Sequence, residues 1–263
     1  MAFSPSSDLL GCGLTDNSVA IFDVSRWEQN ALLKGHVDWA MSLDFSPDGE
    51  TLATGALDKN IILWEVQTWK IKARLQGHNG EVSSLAFDAL GETLATGSTD
   101  KTVKLWDPLS GKETGVLKGH DDSVWSLAFS PDGKILATGS PDQTIKLWNV
   151  ENGQTIGTLI GHSDAIRNLA FTHDGNFLLS CADDRNIKIW ESDISRPNLL
   201  SYLDEGSCHF IIETQELTWN GPTRNLYQSI ETNFRNVSRY SCLGLLHRFR
   251  DGVLDATERD WLL

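Results

Sequence analysis

A chain of 263 residues with 22 Lys and Arg against 36 Asp and Glu carries a formal net charge of −14. Such an excess of carboxylates repels phosphate backbones and acidic lipid surfaces, so neither nucleic acid nor a membrane is expected as a direct partner. No apolar run approaches the ~20 residues that span a bilayer, and the stretch from Met1 to Leu14 lacks a basic region followed by an apolar one. Cys12, Cys181, Cys208 and Cys242 lie far apart, with no C-x-x-C pair and no histidine at ligand spacing, so the expectation is an intracellular, cytoplasmic chain with reduced thiols, no metal and no cofactor.

Self-similarity dominates the chain. Gly-His recurs at Gly35-His36, Gly77-His78, Gly119-His120 and Gly161-His162, a step of 42 residues each time. An Asp follows each His by 22 residues (Asp58, Asp100, Asp142, Asp184) and a Trp follows each Asp by six (Trp64, Trp106, Trp148, Trp190). In chain order, the first unit is incomplete: Phe3 aligns with Phe45, Asp16 with Asp58 and Phe22 with Trp64, no Gly-His precedes it, and Cys12 stands where later units carry Thr54, Thr96, Thr138 and Ser180.

The unit that begins at His120 shows the pattern of all complete ones. Val124 to Ser130 reads as a strand, Ser130-Pro131-Asp132-Gly133 as a tight turn, and Ile135 to Ser140 as a second strand. The turn at Asp142 leads to a third strand, Thr144 to Val150, and Asn152-Gly153 turns into a fourth, Gln154 to Ile160. Five such units are expected over residues 1–192, the fifth without a clear fourth strand.

From residue 193 the composition shifts: every lysine lies at or before Lys188, whereas seven of the 11 arginines lie at or after Arg196. Residues 193–263 are expected to form a mixed, partly helical C-terminal segment packed on the repeats. It offers a strand from Cys208 to Glu213, a short helix with Leu226, Ile230 and Phe234 on one face, and a second helix from Tyr240 to Arg250.

The period, the Gly-His pairs, the turn aspartates and the Trp-Asp of Trp106-Asp107 resemble the WD-repeat family. That resemblance implies an all-β fold, a β-propeller of four-stranded antiparallel blades, here about five in an incomplete ring. Completion of the ring falls either to the C-terminal segment, to further units of a longer product, or to a second chain. Terminal blades with unpaired edges predict self-association.

Ser or Thr, His and Asp recur together in each complete unit, which invites a hydrolase reading. The resemblance implies instead a structural relay. In it the indole N–H of Trp64, Trp106, Trp148 or Trp190 donates to the hydroxyl of Thr54, Thr96, Thr138 or Ser180, that hydroxyl to His36, His78, His120 or His162, and the imidazole to Asp58, Asp100, Asp142 or Asp184. Four copies at a strict period suit four blades, whereas an enzyme needs one nucleophile with an oxyanion hole.

The resemblance also implies partner contacts on one rim, the top. They fall at the third and fifth residues after each His and at the residue before each turn aspartate. By position these are Trp39, Met41 and Leu57; Glu81, Ser83 and Thr99; Ser123, Trp125 and Pro141; Ala165, Arg167 and Asp183. Trp39, Met41, Leu57 and Trp125 place large apolar groups on an acidic rim. The expectation is therefore a non-catalytic scaffold that binds other proteins or peptides, basic ones in particular. The competing expectation is a sensor or regulatory module of a larger signalling NTPase or kinase.

Overall fold

The computed structural model describes residues 1–191 and 210–212. The calls for the helical pieces and for the rest of the C-terminal segment lie outside the described residues. Within them the first blade comprises β1 (Ala2–Phe3), β2 (Leu9–Gly13), β3 (Ser18–Asp23) and β4 (Glu28–Lys34). The second comprises β5 (Ala40–Phe45), β6 (Thr51–Ala56), β7 (Asn60–Glu65) and β8 (Lys70–Gln76), and the third β9 (Val82–Phe87), β10 (Leu94–Ser98), β11 (Thr102–Asp107) and β12 (Lys112–Lys118). The fourth comprises β13 (Ser126–Phe129), β14 (Ile135–Gly139), β15 (Thr144–Asn149) and β16 (Thr155–Ile160). The fifth holds β17 (Ile166–Phe171), β18 (Phe177–Ala182), β19 (Ile187–Glu191) and β20 (Phe210–Ile212).

Each set of four pairs antiparallel in chain order, which makes five four-stranded sheets among the described residues. Turn chemistry fixes the meander. In Ser130-Pro131-Asp132-Gly133 the Gly133 N–H donates to Ser130 O at 2.8 Å, and its φ of +70° is one that glycine adopts without strain. The Ser130 hydroxyl donates to the Asp132 carboxylate and accepts from Ile135 N–H at 3.0 Å, which ties the turn to the strand that follows it.

The core lies in the seams between successive blades. Val19, Ile21 and Leu33 of the first blade meet Leu43, Phe45, Leu52, Ile62 and Trp64 of the second, and equivalent clusters fill the next three seams. A blade therefore buries one face against its predecessor and the other against its successor, which is why a single unit is not a folding unit. The ring is not closed among the described residues.

The strands of the fourth blade are shorter than the sequence reading has them: β13 runs Ser126–Phe129 rather than Val124 to Ser130, β14 ends at Gly139, β15 ends at Asn149 and β16 begins at Thr155. Ahead of β13 the Val124 N–H crosses the seam to Ser98 O of the third blade at 3.0 Å. The fifth blade does have a fourth strand: β20 pairs with β19 in the register Ile187↔Ile212 and Ile189↔Phe210. Ile212 thereby takes the register position held in other blades by Leu33, Leu75, Leu117 and Leu159. The sequence reading offers this strand within Cys208 to Glu213 but not its place in the fifth blade, because the connection to it runs over residues 192–209, where the first three blades use 24–27, 66–69 and 108–111.

Candidate functional site: four buried relays and an uneven top rim

Four chains of hydrogen bonds run through the complete blades. In the second, Trp64 Nε1–H donates to Thr54 Oγ1 at 2.9 Å, Thr54 Oγ1 lies 2.8 Å from His36 Nε2, and His36 Nδ1 lies 3.0 Å from Asp58 Oδ2. The same three steps measure 2.8, 2.8 and 2.9 Å through Trp106, Thr96, His78 and Asp100. They measure 2.9, 2.7 and 2.7 Å through Trp148, Thr138, His120 and Asp142. Through Trp190, Ser180, His162 and Asp184 they are 2.8, 2.8 and 2.7 Å.

Proton counting fixes the direction. The facing carboxylate only accepts, so imidazole Nδ1 carries the ring proton and gives it to the aspartate; in a neutral ring Nε2 then accepts from the hydroxyl, which itself accepts the indole N–H. Burial, the largest influence, holds the pKa of His36, His78, His120 and His162 below the ordinary value, against the opposing pull of the facing aspartate. Each aspartate sits below the usual carboxylate range even though burial pushes it up, because backbone and side-chain donors outweigh burial; Asp100 falls to about 2. Val37, Asn79, Asp121 and Ser163, each one residue after the histidine, donate their N–H to these same carboxylates at 2.8 to 3.0 Å. The relay thus ties the loop between blades to the turn between the second and third strands.

The hydroxyls cannot act as nucleophiles where they stand. Thr54, Thr96 and Thr138 have no exposed surface and Ser180 has 1 %. A substrate carbonyl has no path to any of them.

The first blade lacks the chain coherently. Phe22 removes the indole donor and Cys12 the hydroxyl, while Asp16 keeps the contact that the relay aspartates also make with the residue two further on, accepting the Ser18 N–H at 3.1 Å and its hydroxyl. No donor is stranded by the change.

The top rim, formed by the loops between blades and the turns that carry the relay aspartates, is uneven. On the second blade Trp39 is 47 % and Met41 53 % exposed, beside half-buried Leu57, whose N–H donates to Trp39 O at 2.9 Å. Val37, 80 % exposed on the same loop, extends this apolar bench. Its signal was present in the sequence: the other units carry Asn79, Asp121 and Ser163 there.

On the third blade Glu81 is exposed, Thr99 Oγ1 accepts the Glu81 N–H at 2.9 Å, and the Ser83 hydroxyl donates across the seam to Val124 O, so Ser83 faces the seam. Between the fourth and fifth blades the arrangement closes. The Arg167 guanidinium stacks 4.4 Å from the ring centroid of half-buried Trp125, and its Nε and Nη2 fork onto Asp183 at 2.7 and 2.6 Å. Ser123 and Pro141 are half-buried and Ala165 is buried. The sequence placed Trp39 and Trp125 in one class; the structure leaves the first open and roofs the second.

Carboxylates line the same rim. Asp38, Glu81, Asp121, Asp122 and Asp164 are exposed along the rim, whereas among its cations Lys101 is drawn to Asp121 O at 2.7 Å and Arg167 to Asp183, leaving Lys59 and Arg185 to offset them. Asp44 on β5 was not foreseen. It faces the seam toward the third blade, where the other units have Ala86, Ala128 and Ala170, and accepts Phe87 N–H at 2.8 Å; burial pushes its carboxyl up to about 7. Among the described residues no group of three or more His, Cys, Asp or Glu is placed to hold a metal ion, and no helix is long and apolar enough to cross a membrane.

Antiparallel four-stranded blades packed face to face, with one relay in each of four, define an array of propeller blades. The family model described as WD domain, G-beta repeat matches residues 27–65, 69–107, 111–149 and 153–191, more than half of the chain, and the chain belongs to the WD40 repeat family. A search of curated proteins finds no match. WD40 repeats generally mediate protein–protein interaction and are typically non-catalytic.

Proposed function

We propose that this chain is a non-catalytic interaction scaffold that grips a peptide or an extended segment of a partner on its top rim. Val37, Trp39 and Met41 receive an apolar anchor, and the carboxylates of Asp38, Glu81, Asp121 and Asp122 attract basic residues beside it. The exposure of Trp39, at the end of the loop, and of Met41, at the start of β5, carries the reading, since large apolar side chains grouped on an acidic rim are stabilised by a partner that covers them. The relays, in this reading, hold the loops that display the site and take no part in chemistry.

Selection from a random peptide display library tests it without a known partner. Sequences enriched on the wild-type chain should pair an aromatic or aliphatic residue with Lys or Arg, and they should bind more weakly as salt rises. They should lose binding to the Trp39→Ala, Met41→Ala double variant. Enrichment of acidic sequences, or equal binding to the double variant, would overturn the proposal.

A further inference from the structure

Two Asn-Gly pairs lie among the described residues: Asn79-Gly80 in the loop that leads into the third blade, and Asn152-Gly153 in the turn before β16. In such a pair the backbone nitrogen can reach the preceding carboxamide most freely, because glycine has no side chain to shield its own N–H. The two pairs are held differently. In the turn, Gly153 N–H donates to Asn149 O at 2.9 Å and Asn152 Oδ1 accepts Gln154 N–H at 2.9 Å, so both reacting groups are occupied. In the loop, Asn79 is exposed, and neither its carboxamide nor the Gly80 N–H has a hydrogen-bond partner among the described residues.

We propose that Asn79 is a site of spontaneous modification, converted by water to aspartate and isoaspartate while the chain stays folded. The Gly80 nitrogen gives its proton to hydroxide and attacks Asn79 Cγ. The new C–N bond closes a cyclic imide, and the side-chain nitrogen takes a proton from water and leaves as ammonia. Water then opens the imide at either carbonyl. Breaking the new bond to Cγ leaves an aspartate in a normal backbone, whereas breaking the original peptide bond leaves the chain running through the side chain, as isoaspartate. Water is consumed, ammonia is released, and nothing is oxidised or reduced.

The loop is pinned on either side of the reacting atoms and not at them. Asn79 N–H donates to Asp100 Oδ2 at 2.8 Å and Glu81 N–H to Thr99 Oγ1 at 2.9 Å. A Cβ on Gly80 would stand 2.5 Å from Thr99 Oγ1 and 2.6 Å from Asp100 N, so only glycine fits and the unshielded amide is built into the loop. Asn79 also lines an open cleft with Thr102 and Lys118, whose exposed ammonium favours the oxyanion that forms at Cγ. The aspartate product has a template in the fourth unit, where Asp121 holds the same position and its N–H donates to Asp142 Oδ2 at 3.0 Å. Of the four complete units, only the third has no aspartate in the two residues after its histidine: the others carry Val37-Asp38, Asp121-Asp122 and Ser163-Asp164. Conversion gives it one.

Incubation of the full chain at mildly alkaline pH in water enriched in heavy oxygen, then digestion in ordinary water and mass spectrometry of the peptides, tests this. Only residues converted during the incubation keep the label. Residue 79 should convert at least ~tenfold faster than residue 152 in the folded chain, because the turn must first release the hydrogen bonds of Gly153 and Asn152. In denaturant the two rates should draw together, both pairs being Asn-Gly. An Asn79→Ser variant, with the residue that the fifth unit carries as Ser163, should leave its peptide unlabelled. Conversion of Asn79 no faster than that of Asn152 in the folded chain, a ratio unchanged by denaturant, or a labelled peptide in Asn79→Ser would each overturn the proposal.

Discussion

The interior of the blades and the top rim obey opposite rules. Inside, positions 42 residues apart carry the same groups in the same geometry: four relays whose Nδ1 to carboxylate distances all fall between 2.7 and 3.0 Å. On the rim the same spacing gives Trp39, Glu81, Ser123 and Ala165, or Met41, Ser83, Trp125 and Arg167. Where the repeat is kept, the residue satisfies a buried partner that every blade needs. Where it is broken, the residue faces solvent or a neighbour peculiar to that blade. In a repeat protein the irregular columns are therefore the place to look for binding, because the regular ones are already explained by packing.

The interior half of this comparison is broken most sharply by one substitution made at two equivalent positions. Thr96→Val should leave the Trp106 indole N–H and His78 Nε2 without partners in a site with no exposed surface, a loss of about 2 to 4 kcal/mol. Cys12→Val, at the same strand position of the blade without a relay, should change stability by less than about 1 kcal/mol. Chemical denaturation of the two variants reads the contrast, and equal losses would mean that the relay contributes nothing beyond packing.

Acid should sharpen it next. Each relay histidine has a folded pKa below its unfolded value, so its contribution is complete above about pH 6.5 and is lost as pH falls through that value toward the folded pKa. The relay aspartates, also lowered, keep their contribution until pH falls below about 3.8. Asp44 acts in the other sense: with its folded value raised to about 7, it favours the fold more as pH drops from 7 toward 3.8. Denaturation midpoints in an Asp44→Asn background should stay level from pH 8 to about 6.5 and fall from there to pH 5. A flat profile would contradict neutral, buried histidines.

How much of this was legible in the sequence divides along the same line. The period, the strand order and every residue of the relays could be named from spacing and family resemblance, because a repeated buried network leaves a repeated signature. Asp44 and Val37 are equally legible, as departures in columns that otherwise hold Ala or polar residues. The roofing of Trp125 by Arg167 and the turn of Ser83 into the seam were not legible, since they depend on contacts across a seam that no local pattern encodes. β20 was legible as a strand within residues 208–213, but not as the fourth strand of the fifth blade, since only its register against β19, and not its distance along the chain, shows that.

The most direct test of the account compares Trp39→Ala with Trp125→Ala, measuring binding to a peptide selected on the wild type and the unfolding midpoint on the same samples. Loss of an exposed aromatic anchor typically costs ~2 kcal/mol or more of binding, so Trp39→Ala should weaken affinity roughly thirtyfold at an unchanged midpoint. Trp125→Ala removes the ring beneath Arg167 and should lower the midpoint instead, with the smaller effect on affinity. Normal binding by Trp39→Ala, or a fall in its midpoint as large as that of Trp125→Ala, would contradict the division between an irregular rim that binds and a regular interior that holds.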